Sequence, residues 1–287
     1  MKLVTYQSEK GPRVAAMRSD GLVDLNRADA SLPVSMKALV GGGQRRLDDA
    51  AAAAQAGEAF DPATVKLLPP VPAPEKVICV GLNYADHAAE SGQPPPSEPV
   101  LFCKFPSALI GHGDAIVLPP DSKEVDYEAE LVVVIGEGGR RIKQSDAMRH
   151  VAGYCCGHDV SARDWQLRKP GGQWLMGKTF DTFAPCGPHL VTPDEVGDPG
   201  RLRIQLRLNG QVMQDSTTAQ LIFGVAELIS YISRVCTLRP GDLLFTGTPP
   251  GVGMARKPPV FLKAGDVAEV EIEKVGVLRN AVVGEDS

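Results

Sequence analysis

The segment Val125–Ile135, with the sequence VDYEAELVVVI, most narrowly limits how this chain can fold. Alternate residues of a β-strand share a face, so Glu128 and Glu130 point the same way, and two valines continue that face. The opposite face is also apolar, so we expect the strand to be buried on both sides. Two carboxylates on a buried face repel each other and are costly to desolvate, and a bound cation removes both costs.

The competing interpretation is a half-exposed strand end with two solvated glutamates. The apolar continuation on both faces weakens that alternative. A third carboxylate, Asp159, follows a second apolar run that resembles a strand. Three carboxylates offer only oxygen ligands, which suit Mg²⁺, Mn²⁺ or Ca²⁺ better than zinc. The pattern therefore predicts a divalent-cation site at Glu128, Glu130 and Asp159.

A proline-rich stretch, Leu68–Pro74, separates two parts of the chain. Its four prolines can continue neither a helix nor a central strand. Before it, short strand candidates precede an alanine-rich helix candidate at Leu47–Ala56. We therefore predict a small N-terminal α+β domain at residues 1–70 and a larger catalytic domain at residues 76–287.

Beyond the boundary, hydrophobic periodicity predicts many strands and one amphipathic helix at Ile222–Arg234. Asn209-Gly210 between two strand candidates is a hairpin signal. Many strands with few helices favour a β-rich α+β fold over a doubly wound one. The strand candidates are Lys76–Val80, Ala115–Leu118, Tyr127–Ile135, His150–Cys156, Ile204–Leu208, Leu243–Thr246 and Val267–Ile272.

The bulk properties of the 287 residues exclude several classes of protein. A formal net charge of −5 and a pI near 5.6 give no bulk attraction to nucleic acid or to an anionic membrane. No stretch approaches the ~18–20 apolar residues that span a bilayer, and the first residues contain no apolar signal-peptide core. The six cysteines form no CxxC pair, which favours buried reduced thiols over a disulfide framework or a zinc site. We expect a cytoplasmic protein without nucleic-acid or membrane partners.

A short helix predicted at Asn83–Glu90 carries a candidate catalytic pair. Asn83 is a good N-cap, and Gly92 is a good residue to follow the helix. His87 and Glu90 are three residues apart, so they share a helix face, and the carboxylate would fix the imidazole tautomer and raise its basicity. Such a pair can activate water, whereas an exposed pair without a function is the alternative. The residues Asn83–Gly92 and the proline-rich loop after them are predicted to form a mobile lid.

The segment Gly172–Thr179 matches the phosphate-binding pattern GxxxxGK[ST], but its context contradicts that function. No strand candidate precedes it, Pro185 blocks a following helix, and its bulky interior could not wrap phosphate closely. Lys178 is then a single cation, either functional or an ordinary surface lysine. The glycine-rich segment Thr246–Gly253 predicts a tight turn whose backbone N–H groups could hold a carboxylate, or else a plain loop.

Five segments in this order resemble motifs of the fumarylacetoacetate hydrolase family. The resemblance extends from about Lys76 to Val283 and implies a core of rolled and sandwiched mixed β-sheets, usually in a homodimer. It also implies Mg²⁺ or Mn²⁺, with Ca²⁺ as a further option, at Glu128, Glu130 and Asp159. The segments are Gly81–His87, Asp126–Leu131, His158–Gln166, Gly177–Asp181 and Thr246–Gly251.

The resemblance also implies roles for single residues. His87 and Glu90 match a catalytic pair on a lid helix, and Lys178 matches an active-site lysine. One departure bears on the substrate, because some acylpyruvate-cleaving members have arginine where this chain has Leu82. The predicted substrate-binding residues are Tyr84, Arg163, Gln166 and Thr248.

The family's chemistry concerns small 2-oxo acids. The expected reaction is metal-dependent hydrolysis of a C–C bond in a 2,4-dioxo acid, with water activated by His87 and Glu90 and enolate charge stabilised by the metal and Lys178. Without water attack, the same groups would serve decarboxylation or isomerisation of a 2-oxo dicarboxylic acid such as oxaloacetate. A catalytically silent metal-binding protein is the third alternative.

Overall fold

The computed structural model describes residues 1–285. Strands and α-helices are numbered in chain order. The strands are β1 (Lys2–Ser8), β2 (Gly11–Arg18), β3 (Gly21–Asp24), β4 (Ala59–Phe60), β5 (Leu67–Leu68), β6 (Val77–Gly81), β7 (Val100–Lys104), β8 (Leu109–Ile110), β9 (Ile116–Leu118), β10 (Val125–Asp126), β11 (Ala129–Ile135), β12 (Val151–His158), β13 (Ser161–Ala162), β14 (Ala184–Val191), β15 (Arg203–Leu208), β16 (Gln211–Thr217), β17 (Leu243–Phe245), β18 (Val267–Ile272) and β19 (Gly276–Gly284). The helices are α1 (Leu25–Ala28), α2 (Met36–Gly41), α3 (Gly43–Ala56), α4 (Ala85–Glu90), α5 (Arg163–Arg168), α6 (Trp174–Lys178), α7 (Pro193–Val196) and α8 (Val225–Val235).

A twelve-stranded sheet carries both the N-terminal strands and the strands of the candidate site. Its order is β4-β3-β2-β1-β14-β12-β11-β17-β6-β7, with β5 added to β1 and β8 added to β14. Strand β1 joins the centre of the sheet by pairing Lys2 with Val191 and Leu3 with Leu190. The N-terminal strands thus extend the main sheet, and the division into two domains stays a prediction.

A five-stranded sheet, β16-β15-β18-β19-β9, packs against the central strands β11 and β12. All seven residues of β11 are buried, as the apolar pattern on both of its faces predicts. Leu131 and Val133 join the core shared with the five-stranded sheet, whereas Val132 and Val134 join a second core that includes α2 and α3. Each such side chain stabilises the fold by about 1.5–3 kcal/mol when fully buried. The predicted β-rich α+β class is confirmed.

The strand predicted at Tyr127–Ile135 is interrupted at its start. Residues 125–126 form β10 and pair with β13 instead of with β12. Pairing with β12 begins only at Ala129, so Glu128 lies between the two strands. Strict strand alternation therefore does not explain the orientation of Glu128, although it does apply from Ala129 onward.

Helix α4 begins later than the predicted start at Asn83. Its N-cap is Tyr84, which makes no capping hydrogen bond with its side chain. Asn83 is instead buried, where its amide donates to the carbonyls of Phe223 and Thr246 at 3.1 and 2.7 Å. These partners lie 140 and 163 residues away along the chain, beyond the reach of a local pattern. Gly92 follows the helix with φ 64°, as predicted.

Two further local predictions have clear outcomes. Asn209 and Gly210 join β15 to β16 with φ values of 52° and 79°, which confirms the hairpin. Four of the six cysteines are buried and none is in a disulfide, whereas Cys103 is exposed.

Within residues 1–285, no helix combines the length and apolar character that a membrane span requires.

Candidate functional site

The three predicted metal ligands lie together at one end of β11 and β12. The antiparallel pairing places Ala129 opposite His158, and the backbone N–H of Asp159 donates to the carbonyl of Glu128 at 2.9 Å. Side-chain oxygens of Glu128, Glu130 and Asp159 lie within 4.8 Å of one another, and all three residues are buried. Strand pairing thus brings together carboxylates from separate segments of the sequence.

Two buried cations hold Glu128. Lys178 Nζ lies 2.8 Å from Glu128 Oε2 and 2.8 Å from Asp159 Oδ2. The guanidinium of Arg163 lies 2.6 Å from Glu128 Oε1 and 2.8 Å from Asp126 Oδ2. Lys178 is only 2% exposed, which excludes the alternative of an ordinary surface lysine. It ends helix α6, and helix α5 precedes α6 where a phosphate-binding loop would require a strand.

A third buried cation, Lys104, was not among the predicted site residues. Its Nζ lies 2.6 Å from Asp159 Oδ1. It also donates to the backbone carbonyls of Val160 at 2.9 Å, Phe183 at 2.7 Å and Lys178. Three carbonyl acceptors require three N–H donors, which only the protonated ammonium has. Burial lowers the pKa of Lys104 and the charge of Asp159 opposes that effect, and the three carbonyl contacts favour the charged form.

The two glutamates favour opposite protonation states. Burial by itself raises the pKa of each carboxyl group. At Glu128, the effect of burial is outweighed by Lys178 and Arg163, which hold the pKa well below its ordinary value. At Glu130, burial and the negative charges of Asp159 and Glu128 raise the pKa well above its ordinary value. The cluster therefore lacks positive charge on the side of Glu130.

The donor set fits a divalent cation. Together with Asp126, the three ligands make four buried carboxylates against three buried cations, so an ionised Glu130 has no cationic partner within the cluster. Asp159 Oδ1 accepts no hydrogen bond of good geometry, because the protons of nearby Lys104 point to carbonyls. A cation at Glu128, Glu130 and Asp159 would supply the missing charge and partner.

A cavity of about 390 Å³ opens beside these carboxylates. A larger depression of about 650 Å³ on the N-terminal strands contains none of the predicted site residues. Glu130 and Asp159 do not line the smaller cavity, and neither does Tyr84, which is fully buried with no hydrogen bond to its hydroxyl. The predicted site residues on the cavity wall are His87, Glu90, Glu128, Arg163, Gln166, Lys178 and Thr248.

The His87–Glu90 pair forms as predicted, with Nδ1 and Oε2 3.0 Å apart. In a neutral imidazole, this contact places the proton on Nδ1 and leaves a lone pair on Nε2. Glu90 also accepts from the backbone N–H of Gly251, at 3.0 and 3.2 Å from its two oxygens. At the other end of α4, Asp86 accepts from the hydroxyl of Ser216 at 2.6 Å. These contacts fix the imidazole and tie both ends of α4 to the body of the protein.

Two neutral side chains on the wall are oriented as hydrogen-bond donors. Gln166 Oε1 accepts from Arg163 at 2.9 Å, which leaves its amide N–H groups for the cavity. Thr248 Oγ1 accepts from the amide of Gln214 at 2.9 Å, which leaves its hydroxyl proton for the cavity. Lys178 adds a third N–H beyond the two that it donates to carboxylates. The wall thus presents donors to whatever it binds.

The segment Thr246–Gly253 holds carboxylates through backbone N–H groups, as one of the two sequence interpretations proposes. Those carboxylates belong to the protein. Gly247 donates to Glu130 at 2.6 Å, and Gly253 donates to Asp126 at 2.6 Å. Together with the bond from Gly251 to Glu90, these contacts make the loop a scaffold for the acidic groups.

Sequence reasoning missed Lys104, Asp126 and Gln214. Asp126 lies within a quoted motif but received no role, although it binds Arg163 and the backbone of Gly253. Lys104 ends strand β7, which is not among the strand candidates, and Gln214 lies in the hairpin strand β16, so neither has a local signal. Their partners Asp159 and Thr248 lie 55 and 34 residues away along the chain, so only the three-dimensional fold reveals these contacts.

Comparisons with known proteins agree with the geometry. A family model described as "Fumarylacetoacetate (FAA) hydrolase C-terminal" matches residues 76–283. The chain is 51% identical to "Oxaloacetate tautomerase FAHD2A, mitochondrial" of Bos taurus, over 99% of this chain and 92% of that protein. It is similar to the solved structure of 5-carboxymethyl-2-hydroxymuconate delta-isomerase from Mycobacterium smegmatis, with a TM-score of 0.79 and 34% identity over 100% of both chains. Fumarylacetoacetate hydrolase from Exiguobacterium antarcticum gives a TM-score of 0.83 and 34% identity, over 99% of this chain and 100% of that one.

The relatives also correct one prediction. A cytoplasmic location is wrong, because relatives from Xenopus laevis, Bos taurus and Homo sapiens that match over 99% of this chain carry mitochondrial names. The prediction rested on the lack of a long apolar segment. That criterion identifies secreted and membrane-spanning proteins, but it does not separate cytosol from mitochondrion.

Motifs, fold, acidic site and full-length similarity all lead to one assignment. The matched range of the family model covers most of the chain, and the relatives match it nearly from end to end. The chain belongs to the fumarylacetoacetate hydrolase family.

Proposed function

We propose that this chain is a divalent-metal-dependent tautomerase of a small 2-oxo dicarboxylic acid such as oxaloacetate. The observation that carries the proposal is the cavity wall, where Lys178, Gln166 and Thr248 all present donors beside the acidic trio. A ligand that satisfies these donors must be rich in acceptor oxygens, as a 2-oxo dicarboxylate is. The similarity to a protein named oxaloacetate tautomerase supports the same reaction.

The proposed metal ligands are Glu128, Glu130 and Asp159. A divalent cation bound there would stabilise negative charge that develops on the 2-oxo oxygen. Mg²⁺ or Mn²⁺ is the proposed ion, with Ca²⁺ as a further option, because every ligand is a carboxylate oxygen. Lys178 holds two of these ligands in place and keeps one N–H for a substrate oxygen.

Tautomerisation moves one proton between carbon and oxygen and changes no other atom. His87 is the proposed base, because Glu90 holds the proton on Nδ1 and leaves the Nε2 lone pair free. It would take the proton from the carbon next to the carbonyl and return it to the oxygen. The N–H of Lys178 would stabilise charge on that oxygen during the transfer.

Most of the remaining wall is apolar, with Ser91 and Gln93 as the polar exceptions. Phe102 and Trp174 pack edge to face with ring centres 5.5 Å apart. Leu82 also lines the cavity and has φ 49°, an unusual conformation for a branched residue that clusters at functional sites. A largely apolar wall with a few placed polar groups is typical of a small-molecule site.

Hydrolysis of a C–C bond is the second candidate. The His87–Glu90 pair favours it, because the same free Nε2 could activate water. Following the enol absorbance of oxaloacetate and the release of pyruvate in parallel tests both candidates. Tautomerisation removes the absorbance without pyruvate, whereas cleavage of an acylpyruvate releases pyruvate. Faster enol loss without pyruvate is the result expected here, and pyruvate release from an acylpyruvate alone would favour the hydrolase.

The proposed protein is a homodimer. Its proposed partner is a small 2-oxo acid, with neither nucleic acid nor membrane as a partner. The dimer rests on membership of the family. Light scattering at micromolar protein concentration should give about twice the 30.5 kDa of one chain. A mass of one chain would contradict it.

A further inference from the structure

Strand β16 contains a bulge that turns two consecutive side chains into the protein. Gln214 pairs with Leu206, but the register shifts immediately afterwards, and Met213 has no partner of its own. Neighbouring residues of a regular strand point to opposite faces, yet Met213 and Gln214 are both buried. Bulges next to active sites often redirect a side chain in this way. This bulge directs Gln214 toward the loop that carries Thr248.

The glycine-rich loop fits closely against the same bulge. Gly251 has φ 99°, and a Cβ at this position would overlap the backbone carbonyl oxygen of Met213. Glycine is the residue that tolerates both the positive φ and the close approach. The contact seats the loop so that Thr248 reaches Gln214.

The amide of Gln214 has only one orientation that satisfies its neighbours. Its Oε1 accepts from the backbone N–H of Ala129 at 2.8 Å, and its Nε2 donates to the backbone carbonyl of Pro249 at 2.8 Å. A flipped amide would place donor against donor and acceptor against acceptor. The second N–H of Nε2 then donates to Thr248 Oγ1 at 2.9 Å. Thr248 must act as the acceptor in that bond, so its own proton is free.

We infer that Gln214 is a positioning residue that fixes the hydroxyl of Thr248 as a donor into the cavity. Without this bond, the hydroxyl could rotate and donate to the carbonyl of Pro249 or present a lone pair to the cavity. With it, the site favours a ligand oxygen that carries no proton, such as a carboxylate, over a hydroxyl or amide N–H. The inference deepens the proposed function, on which it rests for the anionic nature of the ligand.

A double-mutant cycle tests the inference. The variants are Gln214→Met, Thr248→Val and the pair combined, with malonate as the dicarboxylate probe in the presence of Mn²⁺. Gln205→Met is the matched control, because Gln205 is also a buried glutamine of this hairpin but binds Arg207. Isothermal titration gives malonate and Mn²⁺ affinities, and oxaloacetate turnover is measured separately.

Each single variant should weaken malonate binding about 10- to 100-fold, the size of a hydrogen bond to a charged group. The combined variant should bind no more weakly than Thr248→Val alone, since Gln214 acts through Thr248. Gln205→Met should bind malonate as the wild type does, and Mn²⁺ affinity should be unchanged throughout. Losses that multiply in the combined variant, or a wild type that does not bind malonate, would overturn the inference.

Gln214→Glu serves if Gln214→Met does not fold. Its carboxylate keeps the shape and still accepts from Ala129, but it would accept the hydroxyl proton of Thr248 and withdraw it from the cavity. Loss of malonate binding with the fold retained supports the inference, and retained binding overturns it. If the two substitutions are coupled in their effect on malonate binding but the wild type does not turn over oxaloacetate, only the proposed function is refuted. If the wild type turns over oxaloacetate but the two substitutions are not coupled in malonate binding, only the positioning role of Gln214 is refuted.

Discussion

Lys104 Nζ and Asp159 Oδ1 lie 2.6 Å apart, and neither side chain is exposed to solvent. The same ammonium binds the backbone carbonyls of Val160, which follows β12, and of Lys178, which ends α6. One cation at the end of β7 therefore ties together the elements that carry a proposed metal ligand and the proposed active-site lysine.

Removing this cation should destabilise the fold strongly. Lys104→Met leaves three buried carbonyls without their donor and removes the ion pair with Asp159, and breaking a buried ion pair typically costs about 3–5 kcal/mol. Urea unfolding measures the loss. Lys66→Met is the control, because Lys66 is exposed and its ion pair with the half-buried Asp114 should contribute less than about 1 kcal/mol. Equal losses in the two variants would contradict the role of Lys104.

The raised pKa of Glu130 predicts a pH dependence of the metal-free protein. Between its ordinary value of 4.5 and its higher folded value, the folded protein binds more protons than the unfolded chain does. The free energy of unfolding should therefore fall as pH rises through this window. Glu130→Gln mimics the neutral form and should reduce that fall. A chelator-treated wild type and variant with parallel stability profiles above pH 4.5 would refute the prediction.

The same substitution should separate stability from metal binding. Glu130→Gln removes one anionic ligand, so Mn²⁺ affinity should drop at least about tenfold. Calorimetry with Mn²⁺ measures this, and thermal unfolding without metal confirms that the fold persists. Unchanged Mn²⁺ affinity would contradict a site at Glu130.

His87 should matter for turnover but little for metal binding. His87→Ala removes the proposed base, which is typically worth about 10²- to 10⁴-fold in rate. Mn²⁺ affinity should stay unchanged, since His87 is not a proposed ligand. His112→Ala is the control, because within the described residues the side chain of His112 only accepts a hydrogen bond from the backbone N–H of Arg279. A loss of turnover in both variants would mean that His87 has no special role.

The predicted lid at helix α4 is testable through the two contacts that anchor it, Ser216 to Asp86 and Gly251 to Glu90. Ser216→Ala removes the hydroxyl that donates to Asp86, so the amides of α4 should exchange hydrogen faster. In the wild type, a ligand bound with Mn²⁺ should make the amides of α4 exchange more slowly than in the free protein. Exchange in α4 that is the same in wild type, variant and liganded protein would contradict a lid.

Regular patterns predicted the fold well where they were local. The apolar pattern of β11 and the turn at Asn209-Gly210 are properties of adjacent residues, and both were confirmed. The prediction that Asn83 caps helix α4 is wrong. Its side-chain oxygen accepts from the backbone N–H of Phe223, so it is not available to cap the helix. The role of Lys104 cannot be predicted from its neighbours in sequence either, because its partners lie in other elements of the fold.

The acidic trio was predictable because the cost of burying carboxylates can be estimated from sequence alone. The orientation of the donors was not predictable. It depends on which atom of Gln166 meets Arg163 and which atom of Gln214 meets Thr248. Contacts between distant parts of the sequence decide whether each side chain offers the cavity a donor or an acceptor. That choice decides which ligand groups the cavity can bind.

The central claim is tested most directly by the rate at which enol oxaloacetate loses its ultraviolet absorbance, with pyruvate assayed in the same sample. The account predicts that the Mn²⁺-loaded protein speeds the loss without releasing pyruvate, and that chelation returns the rate to the spontaneous one. Glu128→Gln should behave as the chelated protein does, because one carboxylate of the trio is gone. Enol loss at the spontaneous rate, or loss matched by pyruvate release, would contradict the account.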